Sequence, residues 1–230
     1  MILERRLTFE AAHRNASPMA TDTTRRLHGH SYEVTVAIEG NLHEKLGWVR
    51  DFADVKSEAR SVIDRLDHRV LNDVPGITDS TCPDVERWLA GELREGVRGF
   101  KSCRVRILGA TGWSPLVRLG AVSAPATLVF GFAAAHFLPH LPEAHKCRRV
   151  HGHSFEVAIA SLDPPHLSDD LLRLYPMLDH TLLNEIPDLS NPTSELLACW
   201  LWERLKAGRG EPRSITVAET CTSRCIYTGD

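Results

Sequence analysis

The chain repeats itself, and that repeat limits the folds open to it. Phe9-Glu10-Ala11-Ala12-His13 returns as Phe132-Ala133-Ala134-Ala135-His136, and His28-Gly29-His30-Ser31-Tyr32-Glu33-Val34 returns as His151-Gly152-His153-Ser154-Phe155-Glu156-Val157, both displaced by 123 residues. Leu66-Asp67-His68 with Leu71-Asn72 returns as Leu178-Asp179-His180 with Leu183-Asn184 at a displacement of 112, which Trp88 and Trp200 share. Two final strands, Cys103 to Leu108 and Ser214 to Ala218, follow at 110. The second copy has therefore lost eleven residues between its histidine pair and its Asp-His pair. Landmarks held in one order divide the 230 residues into two related modules, 1–122 and 123–230, each the size of a small domain. Small residues and Pro125 replace charge at the join, near Gly120 to Ala126.

Within the first module, alternation predicts strands over Leu3 to Ala12 and Ser31 to Glu39. Val55, Ala59, Val62, Ile63 and Leu66 form one helical stripe. Pro83 stands where a second helix begins, with Val85, Trp88, Leu89 and Leu93 on its inner face. Cys103 to Leu108 and Leu116 to Leu119 read as strands flanking a turn at Gly112. The order β-β-α-α-β-β, with consecutive helices, implies an α+β module with an antiparallel sheet and both helices on one face. The second module repeats the order with a shortened first helix around Leu167 to Leu174, then a helix over Pro192 to Leu205.

The chemistry concentrates in Cys147 to Ser154, CRRVHGHS. Side chains two apart on a strand leave the same face, so His151 and His153 point together, as two ligands of one metal must. His136 offers a third nitrogen. Three neutral imidazoles without a fourth protein ligand describe a catalytic zinc site with a position left for water or substrate. Cys147 adds a thiol at its mouth, and its neighbours Arg148 and Arg149 are expected to favour the thiolate. His13, His28 and His30 repeat the triad as a second candidate zinc site.

Taken together, F-x-A-A-H, C-x3-H-G-H, L-D-H-x2-L-N, P-T-x-E and a late strand glutamate resemble the 6-pyruvoyltetrahydropterin synthase family across nearly the whole chain. The three residues between Cys147 and His151 resemble its 6-carboxytetrahydropterin synthase branch, which feeds the 7-deazaguanine and queuosine pathway. The resemblance implies two tandem T-fold modules, a fold in which such modules associate into a barrel with active sites at module interfaces. It implies a zinc-dependent lyase that converts 7,8-dihydroneopterin triphosphate to 6-carboxy-5,6,7,8-tetrahydropterin, acetaldehyde and triphosphate. By the same resemblance His136, His151 and His153 hold Zn2+, Cys147 is the base, and Asp179 and His180 complete a proton relay. Glu219 anchors the pterin, with Thr193 and Glu195 beside it. The alternatives are a pyruvoyl synthase or another side-chain lyase on the same substrate, and a non-catalytic zinc- or pterin-binding scaffold. A branch acting in folate synthesis is disfavoured because it tends to carry a glutamate where Cys147 stands.

The first module departs from this pattern: Thr24 replaces the cysteine, Gly109 the anchoring glutamate and Pro83 the counterpart of Glu195. It is expected to complete the barrel and a wall of the site rather than to react. Net charge is −3 with both signs interspersed, which argues against nucleic acid as a partner. The uncharged stretch Leu119 to Pro142 contains three prolines and two histidines and reads as a linker entering a buried strand rather than a membrane span. Six cysteines in no paired framework, and no export signal, place reduced thiols in a cytoplasm. Open sheet edges imply a homo-oligomer of two or three chains.

Overall fold

The structure is a computed structural model that describes residues 1–41, 43–46, 48–109, 116–118, 126–220 and 223–229. The expected turn at Gly112, most of the join and Cys221 lie outside the described residues. The first module begins with two long antiparallel strands, β1 (Ile2–His13) and β2 (His28–Glu39), in register from Ile2↔Glu39 to His13↔His28. Helix α1 (Phe52–Ile63) follows, capped by Asp51, whose carboxylate accepts from Ala53 N at 2.7 Å. Next come β3 (Arg69–Val70), α2 (Cys82–Gly96) with Pro83 in its first turn, and β4 (Phe100–Leu108). The sheet order is β3-β1-β2-β4.

The second module repeats this architecture. It contains β6 (Ala126–His136), β7 (His151–Ser161), α3 (Pro164–Leu178), β8 (Thr181–Leu182), α4 (Ser194–Lys206), β9 (Pro212–Thr220) and β10 (Ser223–Tyr227). Its sheet runs β10-β9-β7-β6-β5, with β8 on β6. The structure adds two short strands and corrects two expectations. The two-residue strands β3 and β8, which join their sheets parallel to β1 and β6, are too short for any periodicity to reveal. The first helix of the second module is longer than its counterpart, 15 residues against 12, so the deletion falls in the loop before it. Strand β5 (Leu116–Arg118) pairs with β6 rather than turning back on β4.

Each sheet buries one face under its two helices, as alternation requires. Leu7, Phe9 and Ala11 of β1 and Tyr32, Val34, Val36 and Ile38 of β2 meet Val55, Ala59, Ile63, Val85, Leu89 and Leu93. In the second module Phe130, Phe132, Phe155, Val157 and Ile159 meet Leu167, Leu171, Leu197 and Leu201. Burying each of these large side chains stabilises the fold by about 1.5–3 kcal/mol. The architecture is α+β, two tandem T-fold modules. Among the described residues no helix is long and apolar enough to cross a membrane.

The modules meet where β1 and β2 pack against β6 and β7. Gly29 and Gly152, the central residues of the two His-Gly-His motifs, lie against each other. A Cβ on either would overlap the other's backbone. Ser31 N donates to Ser154 Oγ at 3.3 Å, and Ser154 N to Ser31 Oγ at 3.4 Å, so the seam is reciprocal.

Candidate active site

The two histidine triads sit at the ends of the helix-covered faces, next to this seam. His28 and His30 continue the alternation of Tyr32 and Val34, and His151 and His153 that of Phe155 and Val157. The stacked rings Phe9–Tyr32, 4.8 Å apart, and Phe132–Phe155, 5.0 Å apart, lie next along those strands. All six triad histidines are buried.

In the second module, backbone and carboxylate acceptors fix every ring. His136 Nδ1 donates to Pro192 O at 2.8 Å, His151 Nδ1 to Arg149 O at 2.7 Å, and His153 Nδ1 to Glu10 Oε2 at 2.8 Å. Carbonyl and carboxylate oxygens only accept, so each Nδ1 carries a proton, and His136 and His151, kept neutral by burial, turn bare Nε2 lone pairs toward each other. His136 Nε2 and His151 Nε2 face each other at 3.1 Å. Two lone pairs at that distance repel unless a cation lies between them. Tetrahedral ligands about 2.0–2.1 Å from one zinc ion would be roughly 3.3 Å apart, so the donor set fits a metal. Burial lowers the His136 pKa to about 4 and depresses His151 further, with His136 and His153 adding to the effect. Burial also opposes charge on His153, but the carboxylates of Glu10 and Glu219 outweigh it and raise its pKa to about 9.

Glu219, expected at the pterin, reaches into this donor set. Its Oε1 lies 3.0 Å from His153 Nε2 and 3.9 Å from His136 Nε2, and its Oε2 accepts from Ser194 Oγ at 2.7 Å. His136, His151, His153 and Glu219 form a cluster in which every ligand atom lies within 4.8 Å of the others. The sequence motif points to Thr193 and Glu195, but Ser194 between them is the residue that reaches Glu219. Thr193 instead caps α4, accepting from Leu196 N at 3.2 Å, and Glu195 is exposed, because successive helical residues turn by about 100°.

The Asp-His pairs cross the seam. His68, from the first module, stacks on His151 with centroids 4.2 Å apart, and His68, Cys147 and His151 form a further cluster within 4.8 Å. Asp67 Oδ1 lies 3.0 Å from His68 Nδ1, and its Oδ2 accepts from Lys146 Nζ at 3.0 Å. Asp179 and His180, expected beside Cys147, instead stand at the first-module triad, with His180 4.1 Å from His28. Asp179 Oδ2 lies 2.8 Å from His180 Nδ1. The reason is local. His68 and His180 have φ of +55° and +56°, a conformation uncommon outside glycine, and each donates its N–H to the first strand of its own module, at Glu10 O and Ala133 O. Burial works against ionisation of Asp67, but His68, the N–H of Glu10 and Lys146 outweigh it and hold its carboxyl far below the usual range.

Cys147 follows β6 in a short 3₁₀ turn, Lys146–Arg148, where His145 Nδ1 accepts from Cys147 N at 3.2 Å. Its thiol does not gain the expected acidity. Burial raises its pKa and the Glu219 carboxylate adds to the rise, against the opposing effects of Lys146 and Arg149. Arg148 turns away, donating to Pro139 O and Leu141 O.

The first-module triad is plainer. His13 Nδ1 donates to Ser80 O and His28 Nδ1 to Arg26 O, and their Nε2 atoms face each other at 3.0 Å. His30 Nδ1 is buried without a partner. The triad could hold a metal, but among the described residues no carboxylate joins it. Gly109, at the position of Glu219, has φ +88°, and a Cβ there would press on Ser154 Cβ at 2.8 Å. Thr24 Oγ1 is engaged with Thr21.

The chain resembles known proteins in sequence. A 6-carboxy-5,6,7,8-tetrahydropterin synthase from Synechocystis sp. is 41% identical over 118 residues, covering 43% of this chain and 88% of the relative. A dihydroneopterin monophosphate aldolase from Pyrococcus furiosus is 31% identical over 94 residues, covering 41% of this chain and 75% of the relative. The solved 6-pyruvoyl tetrahydropterin synthase of Caenorhabditis elegans aligns with 47% of this chain and 96% of its own at 25% identity and a TM-score of 0.38. The family described as 6-pyruvoyl tetrahydropterin synthase matches residues 2–111 and again 126–230. The chain is therefore a tandem member of the 6-pyruvoyl tetrahydropterin synthase family of pterin side-chain lyases.

Proposed function

We propose that the chain is a zinc-dependent 6-carboxytetrahydropterin synthase acting on 7,8-dihydroneopterin triphosphate, with one reactive centre assembled from both modules. The observation that carries this reading is the convergence of Cys147, His68 and His151 beside a metal-competent triad that also holds Glu219. His136, His151 and His153 would hold Zn2+, which when bound makes protons on the substrate's side-chain hydroxyls and adjacent carbons more acidic. Cys147 takes one such proton, and His68, oriented by Asp67, exchanges another. Glu219 accepts the pterin's 2-amino and ring N–H groups while Ser194 holds its second oxygen. The 41% identity to the Synechocystis synthase supports the carboxy branch and its place in queuosine biosynthesis.

Incubation with 7,8-dihydroneopterin triphosphate and identification of products by mass tests the reading. Acetaldehyde and triphosphate alongside 6-carboxytetrahydropterin are expected. A product that keeps the side-chain carbons would assign the pyruvoyl branch instead, and an inert mixture would leave the scaffold reading. In this proposal the protein works in the cytoplasm as a homo-oligomer. Among the described residues the two sheets share no strand pairing, which supports two or three chains closing a barrel along their edges. Light scattering should give a mass two or three times that of the 25.7 kDa chain.

A further inference from the structure

Glu10 stands opposite Ser31 on β1 and β2, and its carboxylate faces the other module. There Oε2 accepts from Ser31 Oγ at 2.7 Å and from His153 Nδ1 at 2.8 Å. Glu10 has only 13% of its side chain exposed and His153 2%, so water competes little for this bond. The repeat-related position is Ala133, opposite Ser154 on β6 and β7. A methyl group accepts nothing, and His30 Nδ1, which a carboxylate at Ala133 would serve, is left buried and unpartnered. The other four triad rings keep their Nδ1 acceptors in both modules. At Nδ1 the two triads thus differ, ring for ring, in this one hydrogen bond, and Glu219 at His153 Nε2 is a separate difference on the metal-facing side.

A carboxylate accepting from the outer nitrogen of a ligating imidazole fixes its tautomer and orientation and raises the basicity of the nitrogen that faces the metal. From this geometry we infer that Glu10 of the first module is a positioning residue for His153, and that Ala133 makes the His13, His28 and His30 triad the weaker of two unequal metal sites. The inference rests on the metal-binding reading above. It assigns a role to a residue in the module that carries neither the cysteine nor the pterin-anchoring glutamate.

Metal-free protein titrated with Zn2+ against a chromophoric chelator tests it without recourse to turnover. The wild-type chain should show two binding steps, the tighter being the one lost in His151→Ala. Glu10→Gln, nearly isosteric and still able to accept from Ser31, and Glu10→Ala should weaken the tighter step by roughly 10–100-fold and leave the weaker one in place. Ala133→Glu should strengthen the weaker step. A variant that merely loosens the fold would weaken both steps, since His13 lies on the same strand as Glu10. Parallel loss in both steps, or no change in either, overturns the role of Glu10. Failure of the wild-type chain to take up Zn2+ overturns the metal reading as well, so the two failures are told apart.

Discussion

His68 of the first module lies nearly parallel to His151 of the second, with ring centroids 4.2 Å apart and planes inclined by 29°. A ring from one repeat therefore covers a candidate ligand of the other, and His180 does the same to His28. The relation decides which Asp-His pair stands beside the cysteine.

His68→Ala should lower kcat on 7,8-dihydroneopterin triphosphate by about 10²- to 10⁴-fold, the usual contribution of a positioned acid or base. His180→Ala, at the triad without a cysteine, should leave most of the rate. Steady-state kinetics on both variants decides between the modules; the reverse order would return the role to Asp179 and His180.

Cys147→Ala should abolish turnover, whereas Thr24→Ala should leave it largely intact. The Thr24 hydroxyl is bonded to Thr21 and is a far weaker base than a thiolate. Comparable losses from the two substitutions, measured as product formed per chain, would mean that both modules react.

Substituting alanine for Gly29 or Gly152 should destabilise the chain by about 1–3 kcal/mol, because the new methyl forces two closely packed backbones apart. Gly91 serves as the control. It lies within α2 with nothing within 4 Å of an added Cβ, so Gly91→Ala should stabilise by about 1 kcal/mol. Urea unfolding curves give both signs in one experiment.

Asp84 should make the first module acid-sensitive. Its carboxylate accepts from the N–H groups of Thr78, Asp79 and Ser80 and pairs with Arg87, and these contacts outweigh burial to lower its pKa below the ordinary 3.8. A lowered folded-state pKa contributes stability that is present above about pH 4 and lost as pH falls through the folded value. Asp84→Asn should cost about 2 kcal/mol at neutral pH and flatten the acid side of the stability profile, read from unfolding curves between pH 7 and pH 3.

Much of the candidate site is legible from period and repeat. Alternation places His151 and His153 on one face, and the repeat supplies His136 and the second triad, because strand geometry is local. The partner of Cys147 is not local. It depends on how two modules cross at Gly29 and Gly152 and on left-handed backbone at His68 and His180, neither of which leaves a periodic trace. The position of Glu10 is hidden for the same reason, since its donor partner, His153, lies 143 residues away. Thr193-Ser194-Glu195 misleads differently: a motif names neighbours, but helical rotation admits Ser194 to the site and leaves Glu195 outside. Arg148 shows that charge close in sequence need not act on a thiol, for it is tied to carbonyls elsewhere, whereas Arg149 does oppose the rise in the Cys147 pKa.

The two serines and two glycines at the seam are matched, yet Glu10 and Ala133 are not. In a ring of separate, identical subunits that difference is forbidden, because any substitution appears at every equivalent contact at once. Joining two copies in one polypeptide removes the rule. Each half can then carry the change that suits the opposite site, and neither half holds the cluster of His68, Cys147 and His151 by itself.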